Sequence, residues 1–238
     1  MVPGEACLTG TPPFQALPQL LPPAGNPDRW PWLRRLRAED GLDLEPWLEA
    51  VEAGWLVPAT DLLGALEDRL DGPAAARLLA WWLADPAADP ALLAVIGRRR
   101  HPHCRALLRQ ALEGVSTGPG RCVLLLPLLG HQRDPEDFQL LRRWALAPLP
   151  QQQRRAALEG LAVGLGAWPA APLRQALRTL VGDLDSAVAA TAVDLLARLP
   201  GGLTDLAGLE QGRLAPELAQ RVERRLAGGR SWDPPQRA

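Results

Sequence analysis

FQLLRRWALAPLPQQQRRAALEGL, residues 138–161, and LRQALRTLVGDLDSAVAATAVDLL, residues 173–196, carry one apolar register twice. Phe138, Leu141, Ala157, Leu158 and Leu161 moved forward by 35 positions fall on Leu173, Ala176, Ala192, Val193 and Leu196. A further step of 30 carries Leu173, Ala176, Val188, Ala192 and Leu196 onto Leu203, Leu206, Leu218, Val222 and Leu226. Inside each segment the apolar positions recur at three- and four-residue spacing, as in Leu173, Ala176, Leu177 and Leu180, which puts them on one face of a helix. A unit of about 30 to 40 residues holding two such short helices cannot cover its own apolar face, so neighbouring units must stack.

The register extends toward the N-terminus. Leu108, Leu124, Leu125 and Leu128 stand 33 positions before Leu141, Ala157, Leu158 and Leu161. Leu79, Leu83, Val95 and Ile96 stand 29 before Leu108, Leu112, Leu124 and Leu125, and Leu48, Leu62, Leu63 and Leu66 stand 30 before Leu78, Leu92, Leu93 and Ile96. Six helical pairs are predicted, at about 45–70, 74–100, 103–131, 135–166, 170–199 and 203–227. Strand signals are missing: there is no Tyr, a single Ile, and no sustained alternation of apolar and polar residues.

Punctuation supports these boundaries. Asp85-Pro86, Asp89-Pro90 and Asp134-Pro135 each offer a capping carboxylate followed by a residue suited to a first helical turn, and Pro172 and Pro216 sit near other helix starts. Pro127 differs, lying inside the apolar run 123–129, where it is expected to kink or shorten its helix.

Residues 126–138 (LPLLGHQRDPEDF), 154–161 (RRAALEGL) and 183–196 (DLDSAVAATAVDLL) resemble HEAT repeats. Asp183 or Asp185 matches the turn aspartate of that family, and Val188 followed by Ala189 keeps half of its Val-Arg pair. The resemblance covers about three quarters of the chain and implies an all-α, right-handed superhelix, a solenoid of about six HEAT-like hairpins. It implies a surface for holding partners rather than a particular chemistry. Three blocks are expected: a Pro-rich extended or disordered segment at 1–28, the repeat region at 29–227, and a flexible tail at 228–238. Phe14, Leu17, Leu20 and Leu21 are candidate anchors for the first block, and Trp30, Trp32, Leu33 and Leu36 for the cap that starts the stack.

With 47% hydrophobic residues in 238, the chain can bury an elongated core, and a net charge of −1 gives no global attraction to nucleic acid or to an anionic membrane. No apolar run approaches the length of about 18 residues that a membrane span needs, and there is no signal-type apolar core. Cys7, Cys104 and Cys122, odd in number and far apart, point to reduced thiols and a cytoplasmic protein. The positive charges are all Arg, in keeping with a composition rich in Ala, Gly, Pro and Arg.

Charge is unevenly placed. Ten acidic residues from Glu39 to Asp71 face the single Arg69, whereas Arg98, Arg99, Arg100, Arg105 and Arg109 form a run without an acid. Arg142-Arg143, Arg154-Arg155 and the pair Arg221 and Arg224 are therefore the candidate binding residues, with guanidinium groups suited to carboxylates or phosphates. The function expected is a non-enzymatic protein-interaction scaffold whose partner is another protein engaged through an acidic segment. The alternative is a nucleic-acid-binding protein similar to the HEAT-like alkylpurine DNA glycosylases, whose tryptophan and essential aspartate have their nearest counterpart in Trp81 and Asp85.

His101, His103, Cys104, Cys122 and His131 are the only residues with metal-ligand chemistry in one neighbourhood, but they lack a closed zinc spacing, and no metal is expected. No glycine-rich phosphate loop, Gly-x-Ser-x-Gly elbow or His-Glu-x-x-His helix occurs, so no cofactor is expected either.

Overall fold

The computed structural model describes residues 16–97, 99–114, 117–210 and 214–229. Every regular element among them is helical. They fall into two compact units, Met1–Ile96 and Gly97–Ala238, which divide the expected continuous repeat region.

The first unit holds α1 (Arg29–Ala38), α2 (Glu45–Glu52), α3 (Thr60–Leu66), α4 (Gly72–Ala84) and α5 (Leu93–Ile96). Helices two apart in sequence lie side by side, α1 on α3 and α2 on α4. That arrangement is what the step from Leu48 to Leu78 requires, and Leu48, Leu62, Leu66, Leu78, Leu92 and Ile96 are all buried. Of the four residues expected to cap the unit, Leu33 and Leu36 are buried, Trp32 tilts against Trp47 with ring centroids 5.8 Å apart, and Trp30 stays 69% exposed. Ahead of α1, a 3-10 turn at Pro18–Leu20 lies on α2, and Trp47 Nε1 donates to the Ala16 carbonyl at 3.2 Å. The N-terminal segment from residue 16 onward thus runs along the first helices. Its anchor is the buried Pro18, while the expected anchors Leu17 and Leu20 are exposed; Phe14 lies outside the described residues.

The second unit holds α6 (Pro102–Glu113), α7 (Pro119–Gln132), α8 (Phe138–Leu146), α9 (Gln151–Val163), α10 (Ala170–Val181), α11 (Ser186–Ala197), α12 (Gly202–Ala207) and α13 (Pro216–Gly229). They pair as successive hairpins, and the second helices stack in series, α7 on α9, α9 on α11 and α11 on α13. Leu141, Leu158, Leu161, Val193 and Leu196 are sealed from solvent between them. α7 and α9 cross at close range. A Cβ on Gly130 would run into the backbone of Gly160, and a Cβ on Gly160 would lie 2.6 Å from the Leu126 carbonyl oxygen, so only hydrogen fits at either position. α13 continues through Gly229, so the last turn of helix takes in residues expected to start the tail.

Two expectations for α7 are corrected. Pro127 does not shorten it: the helix continues unbroken to Gln132. Nor do Leu124 and Leu128 face the core; Cys122, Leu125, Leu126 and Leu129 do. In a nearly continuous apolar run, periodicity does not choose a face, and the glycine crossing with α9 makes the choice instead.

Capping carboxylates work largely as expected. Asp89, Asp134 and Asp185 each accept backbone N–H bonds at the start of a helix or 3-10 turn, as does Asp71. Asp85 instead follows the end of α4 and accepts from the Ala87 N–H within the connecting turn.

Within each unit, guanidinium–carboxylate pairs 27 to 32 residues apart tie neighbouring hairpins together. Arg29 grips Asp61 at 2.6 and 2.9 Å, Arg105 and Arg109 reach Asp137 at 2.9 and 3.1 Å, Arg154 forks onto Asp183, and Arg221 and Arg225 converge on Asp194. Asp137 is wholly buried, and burial pushes its carboxyl up against the pull of the two guanidinium groups. Arg154 holds the Asp183 carboxyl below the usual carboxylate range, and Arg29 does the same for Asp61.

Leu161→Ala is expected to lower unfolding free energy by about 2–5 kcal/mol in urea titrations, through the cavity it leaves. Gly130→Ala, which forces α7 and α9 apart, is expected to cost about 1–3 kcal/mol. Asp183→Asn should destabilise by about 1–3 kcal/mol at pH 7. A depressed carboxylate contributes stability above its unfolded value and loses it as pH falls through its folded value. The difference between wild type and Asp183→Asn should therefore shrink as pH is taken from about 5 toward 2, which unfolding curves across that range will measure.

Candidate functional site

Folding pairs off part of each charge block. Arg29, Arg37 and Arg77, all outside the acidic block or its edge, take up Asp61, Asp68, Glu45 and Glu52. Arg105 is likewise consumed by Asp134, Glu136 and Asp137. What matters for binding is which guanidinium groups remain.

The candidate arginines divide into three groups. Arg142 and Arg143 lie on α8, where Arg142 donates to Gln139 Oε1 at 3.3 Å and Arg143 is exposed. Arg154 is structural, with its side chain 13% exposed, bound to Asp183 and donating to the Ala145 carbonyl at 3.1 Å. Arg155, Arg221 and Arg224 come together along one groove. Neighbours in sequence, Arg154 and Arg155 part company because a helix turns about 100° per residue. Arg154 stands three, four and seven residues before the buried Ala157, Leu158 and Leu161, so it shares their face, and that spacing marks it in the sequence.

The groove has a volume of about 800 Å³ and follows α11, with α9 on one side and α13 on the other. A second trough of about 470 Å³ joins it through Arg155 and Thr191 and runs on past Glu159 to Arg198. Asp194, on the same face of α11, binds Arg221 at 2.5 and 2.9 Å and Arg225 at 2.9 Å. Burial raises the Asp194 carboxyl, but the two arginines outweigh it and hold the group below its ordinary value. Arg155, Arg198 and Arg224 are exposed and form no ion pair among the described residues. Two groove residues escaped the sequence reading. Arg198 closes α11 alone rather than in a pair, and Leu184, fully exposed at 105%, is an apolar residue set between Asp183 and Asp185 in a turn. That odd placement was the available signal.

At the start of the second unit, the end of α7 does return beside the start of α6, but through amide chemistry. Gln132 accepts from the His101 N–H and donates to the Arg99 carbonyl, both at 3.1 Å, and Arg100 Nε donates to the His131 carbonyl. His101 caps α6 through Nδ1, which accepts from the His103 N–H at 3.3 Å, and the two imidazoles meet edge to face. Cys104 and Cys122 are buried thiols outside any disulfide, and burial pushes both up, toward the neutral form that metals do not bind. Among the described residues no group of three or more His, Cys, Asp or Glu is placed to hold a metal ion.

Trp82 is buried, with Nε1 donating to the Asp89 carbonyl at 3.0 Å, while Trp81 on the adjacent direction of α4 is half-buried. Asp85 spends a carboxylate oxygen on the turn that ends α4. Among the described residues no helix is long and apolar enough to cross a membrane.

No protein-family model matches the chain, and neither the curated proteins nor the solved structures include a significant match.

Proposed function

We propose that the stacked hairpins build a right-handed, HEAT-like α-solenoid that serves in the cytoplasm as a protein-interaction scaffold without chemistry of its own. Three features support the architecture: like helices of successive hairpins pack on each other, the apolar register steps by about 30 residues, and arginine–carboxylate pairs recur at the same step. The observation that carries the function is the groove along α11, where Arg155 and Arg224 stand without carboxylate partners among the described residues. Unpaired guanidinium groups on a rigid helical face favour carboxylates of a protein segment. The nucleic-acid alternative draws less support, because two of the six candidate arginines, Arg154 and Arg221, are held in ion pairs and the exposed Leu184 lies at the groove.

Affinity capture with the purified chain from extracts of its own cells, with and without nuclease, tests this reading. A protein partner should be retained after nuclease treatment and released by salt. Arg155→Ala with Arg224→Ala should weaken that binding by about tenfold while leaving helical content unchanged, since both side chains are exposed. Arg154→Ala should instead lower stability. Micromolar duplex binding at physiological salt, lost in the double variant, would establish the alternative, and release of an alkylated base would end the non-enzymatic reading.

A further inference from the structure

α11 turns Ala187, Ala190 and Thr191 into the groove at three- and four-residue spacing, so the floor is low and largely apolar. Because α11 packs between α9 and α13, Arg155 and Arg224 stand on opposite banks. Leu184 lies at the same groove and is wholly hydrated. Two carboxylates of this region, Asp183 and Asp194, are already taken by Arg154 and by Arg221 with Arg225, and neither Glu159 nor Glu217, which also line the troughs, forms an ion pair with Arg155 or Arg224. Two guanidinium groups without an ion pair among the described residues and an uncovered leucine thus line one groove.

We infer that the groove seats an extended protein segment in which one apolar side chain lies between two carboxylates. The apolar side chain covers Leu184 and the alanine floor, and the carboxylates meet Arg155 and Arg224. The inference rests on the scaffold reading and narrows it to a partner chemistry. Stacked helices lie about 9 Å apart, so α9 and α13 are about 18 Å apart. Each arginine spans several ångströms of that gap, and an extended strand rises about 3.3 Å per residue with alternate side chains on one face. The two carboxylates therefore stand about two to four residues apart. An open trough suits such a strand better than a small molecule, which needs a site that encloses it. Phosphates fit poorly, since an exposed leucine gains nothing from a hydrated backbone.

The test measures fluorescence anisotropy of the full chain with three labelled probes. One is a short peptide centred on Glu-Ala-Leu-Ala-Glu, the second replaces its leucine with serine, and the third is a random-sequence DNA duplex. The leucine peptide should bind, with the serine peptide weaker by about fivefold or more. Arg155→Ala and Arg224→Ala should each weaken the leucine peptide by about tenfold. Leu184→Ser should bring the leucine peptide down to the affinity of the serine peptide and leave the latter unchanged, while Arg143→Ala on α8 should change nothing. Circular dichroism of each variant confirms an intact fold. Equal affinity for the two peptides, indifference to Leu184→Ser, or a duplex bound more tightly than either peptide overturns the inference. If the peptides fail while a captured partner still depends on Arg155 and Arg224, the scaffold reading stands and this inference alone falls; failure of both removes both.

Discussion

A pair of helices no longer than about four turns exposes more apolar surface than the two can hide from each other, and the rest of this chain answers that shortage. In the second unit α9 meets α8 within its hairpin, α7 before it and α11 after it. Its buried residues accordingly occupy more than a single stripe, from Ala156, Ala157 and Leu158 to Gly160 and Leu161. Where space ran out, at the crossing with α7, side chains were given up altogether and two glycines touch backbone to backbone. The energy of the fold lies in this stacking, since burial of apolar area is the dominant favourable contribution.

Charge then fixes how the stack is set. A leucine face tolerates sliding, whereas a guanidinium fork requires its carboxylate at one place, so Arg29–Asp61, Arg154–Asp183 and Arg221–Asp194 define the register between neighbours. The same pairs explain the quiet surface. Many arginines that look free in the sequence are consumed about 30 residues away, and among the exposed ones without an ion pair, Arg155, Arg198 and Arg224 gather on the face of the second helices.

The fold was legible where a pattern was local and interrupted. The 35-residue step between Leu161 and Leu196 appears because polar residues break the apolar positions into stripes, and both leucines are buried. It was illegible in α7, where the run from Val123 to Leu129 offers apolar residues in nearly every direction. The candidate site was legible in part for a related reason. Arg154 and Arg155 differ by one helical step, and the phase of Ala157, Leu158 and Leu161 separates the inward residue from the outward one. The pairing of Arg154 with Asp183 carries no such local mark, because partners chosen across a helix–helix interface depend on how the interface is set.

The inter-hairpin pairs also give the protein an uneven tolerance of its surroundings. Every side-chain cation in them is a guanidinium, for the chain contains no lysine, and a guanidinium keeps its proton through the whole alkaline range in which proteins are handled. A ladder built on ε-ammonium groups would begin to lose charge near pH 10. This one has no rung that discharges on that side. Its register should therefore outlast alkaline conditions that dismantle lysine-based assemblies.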